Sequence, residues 1–204
     1  MTIAATGAIR LVGVRFAPGG AVAFLSLAPH EVRDTAPSLA DAASSLSGTV
    51  AERLAAAPPG AEASVLDIAL GARLTQARRL TDHRVLASVR AARAAKKPVR
   101  VDVLTSLTGL GARQLERTFR DEVGFGPKTL CRLVRFQRVV RAIEPSMRPS
   151  WARLAAQHGY ADQSHLAREF REFAGTTLTH YVRELHPMSD HFHDAPGTDD
   201  SLLD

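Results

Sequence analysis

Two clusters of side chains in the second half of the chain carry hydrogen-bonding groups that suit the edges of nucleic-acid bases. The clusters are Arg113, Gln114, Glu116 and Arg117, and then Gln163, Ser164, His165 and Arg168. An arginine can bridge the O6 and N7 atoms of guanine, and a glutamine can bridge N6 and N7 of adenine. A solvated helix face without any ligand is the alternative for one such cluster. Two clusters at a fixed offset in a basic segment favour contact with base edges.

The two clusters belong to a pattern that the sequence contains twice. The stretch from Leu115 to Arg120 is echoed by the stretch from Leu166 to Arg171, 51 positions later. Upstream the offset is 50, as between Gly109 and Gly159. An internal repeat of this length indicates a duplicated supersecondary unit.

Each copy predicts two helices joined by a tight turn. In the second copy, Ser150 and Asp162 are suitable caps for helices over 151–158 and 163–173, with Gly159 in the turn. In the first copy, the second helix is predicted over 112–123, and Gly109 makes the turn. A helix, a glycine turn and a second helix form the helix-turn-helix unit, whose second helix reaches base edges with its N-terminal turns.

A long helix over 127–143 is predicted to join the two units, because Pro127 suits a first helical position. About sixteen residues at 1.5 Å each span roughly 24 Å. With the width of the units themselves, this length can put the two second helices about one DNA turn, ~34 Å, apart. Cations in and around these helices are the predicted phosphate contacts, with ion pairs as the alternative for those in the joining helix. They are Arg120, Lys128, Arg132, Arg135, Arg171 and Arg183.

The positive charge of the chain is concentrated on the segment that holds the repeat. Residues 82–186 carry 19 Lys and Arg against 10 Asp and Glu, whereas residues 187–204 carry 5 acids and no Lys or Arg. Such a segment is typical of a surface that binds phosphate backbone, and the repeat favours duplex DNA over RNA or anionic lipid. No run of 18 apolar residues and no signal-peptide pattern is present, and Cys131 is the single cysteine. These features predict a cytoplasmic protein without a membrane span or an intrachain disulfide.

Residues 101–183 resemble the DNA-binding domain of the AraC-type (arabinose-operon regulator) transcription factors. In the second copy the agreement runs through Gly159-Tyr-Ala-Asp-Gln-Ser-His-Leu166, Arg168-Glu-Phe170 and Gly175. In the first copy it runs through Leu115-x-Arg-x-Phe119, Gly124-x-x-Pro127 and Arg132-x-x-Arg135. The resemblance implies two recognition helices that enter successive major grooves on one face of DNA, and a rigid helix that joins them.

The chain departs from the family pattern at four positions. Gly111 and Arg100 stand where a capping residue is usual, Gly126 replaces a common Ser or Thr, and Leu178 replaces a Pro. A glycine cap weakens a helix start by only on the order of a few tenths of a kcal/mol relative to serine. We therefore expect these departures to affect local rigidity and the target sequence and not the fold.

The region before the repeat predicts a small α+β unit. Apolar stretches over 11–16 and 21–25, on either side of Pro18-Gly-Gly20, are predicted to form a short hairpin. Helices are predicted over 37–57 and 61–80, separated by Pro58-Pro-Gly60. The predicted inward residues of the second helix are Val65, Ile68, Ala69, Ala72 and Leu74.

The predicted fold is therefore mainly α, with two helix-turn-helix units joined by a long helix and preceded by a small α+β N-terminal region. Thr81 or Asp82 is a suitable cap for a helix from His83, which sets the boundary between the first two domains. The predicted domains are an accessory, sensor-like region over 1–81, the DNA-binding domain over 82–186 and an acidic flexible tail over 187–204. Residues 12–19 resemble the end of an accessory domain that precedes such DNA-binding domains.

The predicted function is that of a sequence-specific DNA-binding transcriptional regulator. Double-stranded DNA is the predicted partner, and RNA polymerase, a small-molecule effector and a second copy of the chain are further candidates. No cofactor and no membrane partner is predicted. No metal is predicted either, since His191 and His193 lack the companion ligands of a metal site. No enzyme is predicted, because the sequence lacks a phosphate loop, a nucleophile elbow or a setting that would activate Cys131. The alternative class is a protein–protein interaction module with a vestigial DNA-binding domain.

Overall fold

The computed structural model describes residues 12–143 and 150–188, and within these ranges the chain forms helices, turns and irregular segments without a β-strand. The helices of the described ranges are α1 (Leu39–Ala42), α2 (Ser44–Ala56), α3 (Glu62–Thr75), α4 (His83–Ala94), α5 (Val101–Thr108), α6 (Ala112–Val123), α7 (Pro127–Ala142), α8 (Trp151–Gln157), α9 (Gln163–Ala174) and α10 (Leu178–Met188). The chain divides into two compact units, residues 1–132 and 133–204, and the division falls within α7. The prediction of a mainly helical chain is confirmed.

In the first unit, α5 and α6 form the predicted helix-turn-helix. Gly109 ends α5 in the left-handed conformation, with a φ of 67°, and its amide donates to the carbonyl of Thr105. Leu115 and Phe119 of α6 and Leu104 of α5 are fully buried. The spacing of these apolar residues thus fixes which face of α6 points inward. The predicted bounds of α6, 112–123, are confirmed.

In the second unit, α8 and α9 form the other helix-turn-helix. Gly159 has a φ of 75°, as the turn requires. Asp162 caps α9, because its side chain accepts a hydrogen bond from the His165 amide. Leu166 and Phe170 are fully buried, at the positions that Leu115 and Phe119 hold in the first copy. The sequence repeat is therefore a repeat of buried positions as well.

The predicted hairpin at the start of the chain is wrong for the described residues. Residues 12–16 have no regular structure, and residues 18–24 form turns. The amides of Phe24 and Leu25 both donate to the Ala21 carbonyl, so this stretch coils upon itself and does not extend. Phe16 and Phe24 stack at a centroid distance of 5.0 Å within an apolar cluster formed with α2 and α3. Two isolated strands would have had no third strand to pair with. Leu11 lies outside the described residues.

The helices of the N-terminal region also differ from prediction. The predicted helix over 37–57 is two helices, because Ala43 adopts a non-helical conformation with a φ of −149°. In α3, the predicted inward residues Ile68, Ala72 and Leu74 are exposed, while Leu66, Ala69 and Leu70 pack inward. Both stripes of this helix are apolar, so periodicity alone does not decide which one is buried.

The segments before α4 hold the C-terminal end of α6 within the first unit. Arg79 donates to the carbonyl of Asp121 at 2.8 Å, and the Asp82 amide donates to the Glu122 carboxylate at 2.8 Å. Gly124, at a φ of 93°, lies so close to Pro29 that a Cβ would come within 3.0 Å of the Pro29 carbonyl oxygen. These contacts fix the end of the helix that carries the first cluster of predicted base contacts.

Candidate nucleic-acid interface

The outer face of α6 carries the first cluster of predicted base contacts. Arg113, Gln114 and Arg117 lie in its first turns and are exposed, and the predicted phosphate contact Arg120 is exposed one turn further on. Arg113 and Arg117 are four positions apart, so they lie on one side of the helix. The buried Leu115 and Phe119 define the opposite side. The arrangement presents guanidinium and amide donors outward from the N-terminal half of the helix.

Glu116 has a different environment from its neighbours on α6. The residue as a whole is exposed, but its carboxylate lies against Gly126, just before α7. The carboxyl carbon is 2.9 Å from the point where a Cβ on residue 126 would stand. A carboxylate is favoured near a helix N-terminus, where the backbone amides of the first turn carry partial positive charge. In this conformation Glu116 is turned toward the start of α7 and not toward a base.

The outer face of α9 carries the second cluster. Gln163, Ser164 and Arg168 are exposed, as is the predicted phosphate contact Arg171. Arg168 stands 51 positions after Arg117, and Arg171 stands 51 positions after Arg120. Each helix therefore presents an exposed arginine pair at the same repeat positions, on the side away from its own buried leucine and phenylalanine.

His165 is the one member of the second cluster that is half-buried. Its ring lies edge-on to Tyr160 at a centroid distance of 5.2 Å, and its Nδ1 accepts a hydrogen bond from the Ala161 amide at 3.4 Å. That bond assigns the proton of a neutral ring to Nε2. His165 thus stabilises the turn before α9, and only its remaining nitrogen is left for an outside partner.

Arg135, a predicted phosphate contact, is used inside the second unit. It donates to both carboxylate oxygens of Glu169, at 3.1 and 2.7 Å, and its guanidinium lies 4.3 Å from the centre of the Tyr160 ring. Glu169 is buried. Burial alone would lower the pKa of Arg135, but the hydrogen bonds and charge of Glu169 outweigh it and raise that pKa. Of the two uses that the sequence left open for Arg135, the geometry supports the ion pair.

The sequence contains a signal that Glu169 is buried. Glu169 lies three positions after Leu166 and directly before Phe170, so it falls on the inward stripe of α9. A buried acid requires a partner. The arginines of α7 were the available cations, although the spacing alone does not identify which one.

The other predicted phosphate contacts lie in different environments. Lys128, in the first turn of α7, and Arg183, on α10, are exposed. Arg132 is half-buried and already has an interaction within the protein. Lys128 and Arg183 are therefore the more accessible of the three.

Among the described residues there is neither a cluster of metal ligands nor a helix suited to cross a membrane. Over 12–143 and 150–188, no three His, Cys, Asp or Glu side chains come together in a way that could hold a metal ion. The pair His191 and His193 lies outside these ranges. No helix in the same ranges combines the length and apolar content needed to cross a bilayer.

Comparison with known proteins gives one family match. Residues 104–184 match the model of a helix-turn-helix domain family. A solved structure of a probable AraC family transcriptional regulator from Rhodopseudomonas palustris is similar to this chain, with 21% sequence identity and a TM-score of 0.45. That similarity covers 50% of this chain and 96% of the other. No curated protein matches the chain.

Proposed function

We propose that the chain is a sequence-specific transcriptional regulator of the AraC type that contacts two successive major grooves of DNA. Residues 104–184 match a helix-turn-helix domain family, and the motifs of residues 101–183 resemble those of AraC-type regulators. In this proposal the domain acts by binding DNA and not by catalysis. The observation that carries the proposal is the repeated arginine pair. Arg117 with Arg120 on α6, and Arg168 with Arg171 on α9, are exposed at equal repeat positions.

The proposed division of labour between side chains follows from their environments. The exposed residues of the N-terminal turns are proposed to contact bases, since that part of a recognition helix reaches base edges. They are Arg113, Gln114, Arg117, Gln163, Ser164 and Arg168, with His165 acting through Nε2 and Glu116 only after leaving Gly126. The proposed phosphate contacts are Arg120, Lys128, Arg132, Arg171 and Arg183, which would supply the salt-dependent part of the affinity.

The proposed spacing of the two recognition helices rests on α7. The helix has 16 residues, and at 1.5 Å per residue it is about 24 Å long. Together with the width of the two units, this length is compatible with two grooves about one DNA turn, ~34 Å, apart. One chain would then contact one side of the duplex at two adjacent grooves.

The remaining assignments are proposals of the same kind. We propose that residues 1–81 are an accessory, sensor-like region, that residues 82–186 are the DNA-binding domain and that residues 187–204 are an acidic tail. A cytoplasmic location follows from a function on DNA. RNA polymerase, a small-molecule effector and a second copy of the chain are the partners to test beside DNA.

Selection of bound sites from a random duplex pool tests the proposal directly. We expect the purified chain to enrich a site with two conserved elements about one helical turn apart. The enriched site should bind roughly 10³-fold or more tightly than random duplex at the same salt concentration. Titrations at two salt concentrations then separate phosphate contacts from base contacts. Enrichment of no site above non-specific binding would reject the proposal and favour the interaction-module alternative.

A further inference from the structure

A cleft in the first unit lies outside the candidate interface. It has a volume of about 460 Å³, within the range of small-molecule sites, which run from roughly 300 to 1,000 Å³. One wall is the coiled segment that replaced the predicted hairpin and includes Leu25 and Leu27. The facing wall is the end of α3 and the residues after it, with Arg73, Arg78 and Arg79. No acid is found among the described residues that line the cleft.

The two walls differ in chemistry in a way that selects a ligand. Leu27 is 36% exposed, although an apolar side chain gains by leaving water. Guanidinium groups bind carboxylates through paired, charge-assisted hydrogen bonds. A ligand that satisfies both walls has an anionic head and a short apolar body. We propose that this cleft binds a small organic carboxylate, with Arg78 and Arg79 on the head and Leu25 and Leu27 on the body.

Arg78 is the residue that distinguishes a binding site from a helix-end contact. Arg79 donates to the carbonyl of Asp121, in the last turn of α6, where a cation is favoured by the helix dipole in any case. This hydrogen bond and the helix dipole explain an arginine at position 79 without any ligand. Arg78 is exposed, lines the same cleft and precedes the segment that leads to α4. Binding of the carboxylate is therefore expected to depend on Arg78.

Four probes with matched structures test the two walls separately in the full chain by isothermal titration calorimetry. Hexanoate carries both the carboxylate and the apolar body. Acetate lacks the body, hexan-1-ol lacks the charge, and inorganic phosphate is an anion without either feature. We expect hexanoate to bind and each of the other three to bind about tenfold or more weakly, as the loss of one wall's contacts implies.

Two arginine variants locate the binding. Arg78→Gln should weaken hexanoate binding about tenfold or more, because a charge-assisted hydrogen bond is lost. Arg53→Gln, an exposed arginine of α2 away from the cleft, should leave it within about twofold of the unchanged chain. Equal hexanoate affinity in the Arg78→Gln variant overturns the proposal. So does a phosphate or acetate affinity equal to that of hexanoate, which would mean an adventitious ion only.

The shared residue Arg79 connects the cleft to the candidate interface. A carboxylate in the cleft competes with the Asp121 carbonyl for Arg79, so occupancy should be felt at the end of α6. This step rests on the proposed function. Saturating hexanoate is expected to change the affinity for a selected DNA site about fivefold, with no change in the Arg78→Gln variant. If no DNA site can be selected, the proposed function fails, while calorimetry still decides the cleft. Binding of hexanoate without any effect on DNA affinity would refute the coupling alone.

Discussion

Arg117 and Arg168 hold the same exposed position in the two copies of the repeat. Replacing either with alanine should cost about 1–3 kcal/mol of binding free energy on a selected site and relax the base preference at the contacted position. Competition titrations against selected and random duplexes would measure this. Arg53→Ala, on α2, serves as the control and should leave both affinities unchanged. Equal losses on selected and random DNA would instead identify phosphate contacts.

The buried pair of Arg135 and Glu169 makes a stability prediction. Glu169→Gln keeps the shape of the side chain but leaves Arg135 without its charge partner. We expect the free energy of unfolding to fall by roughly 2–3 kcal/mol, below the usual cost of a broken buried pair because water still reaches Arg135. Urea denaturation would measure the loss. The exposed Glu52→Gln is the control, and an unchanged midpoint for Glu169→Gln would show that the pair does not stabilise the second unit.

Asp82 gives a prediction for pH. Hydrogen bonds from the side chain and backbone of Arg84 lower the pKa of Asp82 from 3.8 to about 2. Because the folded pKa is below the unfolded one, its contribution to stability is present above about pH 4 and is lost as the pH falls toward 2. The difference in unfolding free energy between the native chain and Asp82→Asn should therefore shrink over that interval, as measured by urea denaturation at several pH values.

Glu122 must be considered in the same experiment. Burial raises the pKa of Glu122, so its ionised form is the less favourable one in the folded chain. Its effect on stability therefore changes with pH in the opposite direction to that of Asp82. Glu122 is present in both proteins, and burial is the largest cause of its shift, so most of its effect cancels in the difference. A difference that stays constant from pH 5 to pH 2 would contradict the role assigned to Asp82.

For single residues, the sequence predicted which side chains are exposed better than it predicted which residues they contact. The outward positions of Arg113, Arg117 and Arg168 follow from the spacing of buried residues on the same helix, which is local information. The contact of Glu116 with Gly126 depends on where the chain turns after α6. The pairing of Arg135 with Glu169 joins residues 34 positions apart. Neither is encoded in a helical period.

Of the two outer helices of the repeat, α9 has a side-chain cap and α6 lacks one. Gly111 holds the cap position in an extended conformation, and a Cβ there would meet no atom within 4 Å. Gly111→Ser should stabilise the chain by about a few tenths of a kcal/mol, because serine can supply the missing cap hydrogen bond. Thermal unfolding followed by circular dichroism would detect a higher midpoint.

Gly124→Ser is the matched comparison for that substitution. Gly124 has a φ of 93°, and its missing Cβ would come within 3.0 Å of the Pro29 carbonyl oxygen. Serine should therefore lower the unfolding midpoint at this position, because its Cβ would strain the left-handed backbone and overlap the Pro29 carbonyl. If serine raised the midpoint at both positions, the left-handed turn and its contact with Pro29 would not be as described.

The elements of the repeat could be predicted because caps or glycine turns mark several of their ends. Asp162, Gly109 and Gly159 each fix a boundary by a local mechanism. In the N-terminal region, Pro58-Pro-Gly60 marked one break between helices, but nothing marked the break at Ala43. The region's apolar stretches satisfied a strand pattern, and α3 offered two apolar stripes. Only packing between segments, such as that of Phe16 on Phe24, decided the outcome.

For the whole molecule, the proposed spacing of the two recognition helices can be tested on DNA. Inserting 5 base pairs between the two elements of a selected site would rotate one of them about half a turn around the duplex. The proposal that one chain contacts two grooves at one spacing predicts that affinity falls about tenfold or more, to that of a single element. Gel-shift titration would measure it, with a spacer of altered sequence and unchanged length as control. Full affinity after insertion would mean that the two units are not held at one spacing.

The two proposed recognition helices, α6 and α9, are supported by different neighbours. The end of α6 contacts Pro29, Arg79 and Asp82, so most substitutions there must be tolerated by the N-terminal region as well. The inward side of α9 is satisfied by Arg135 from α7. Neutral drift should therefore be slower at the first copy than at the second. If α6 and α9 each contact part of an operator, as proposed, new preferences would arise more readily in the part that α9 contacts.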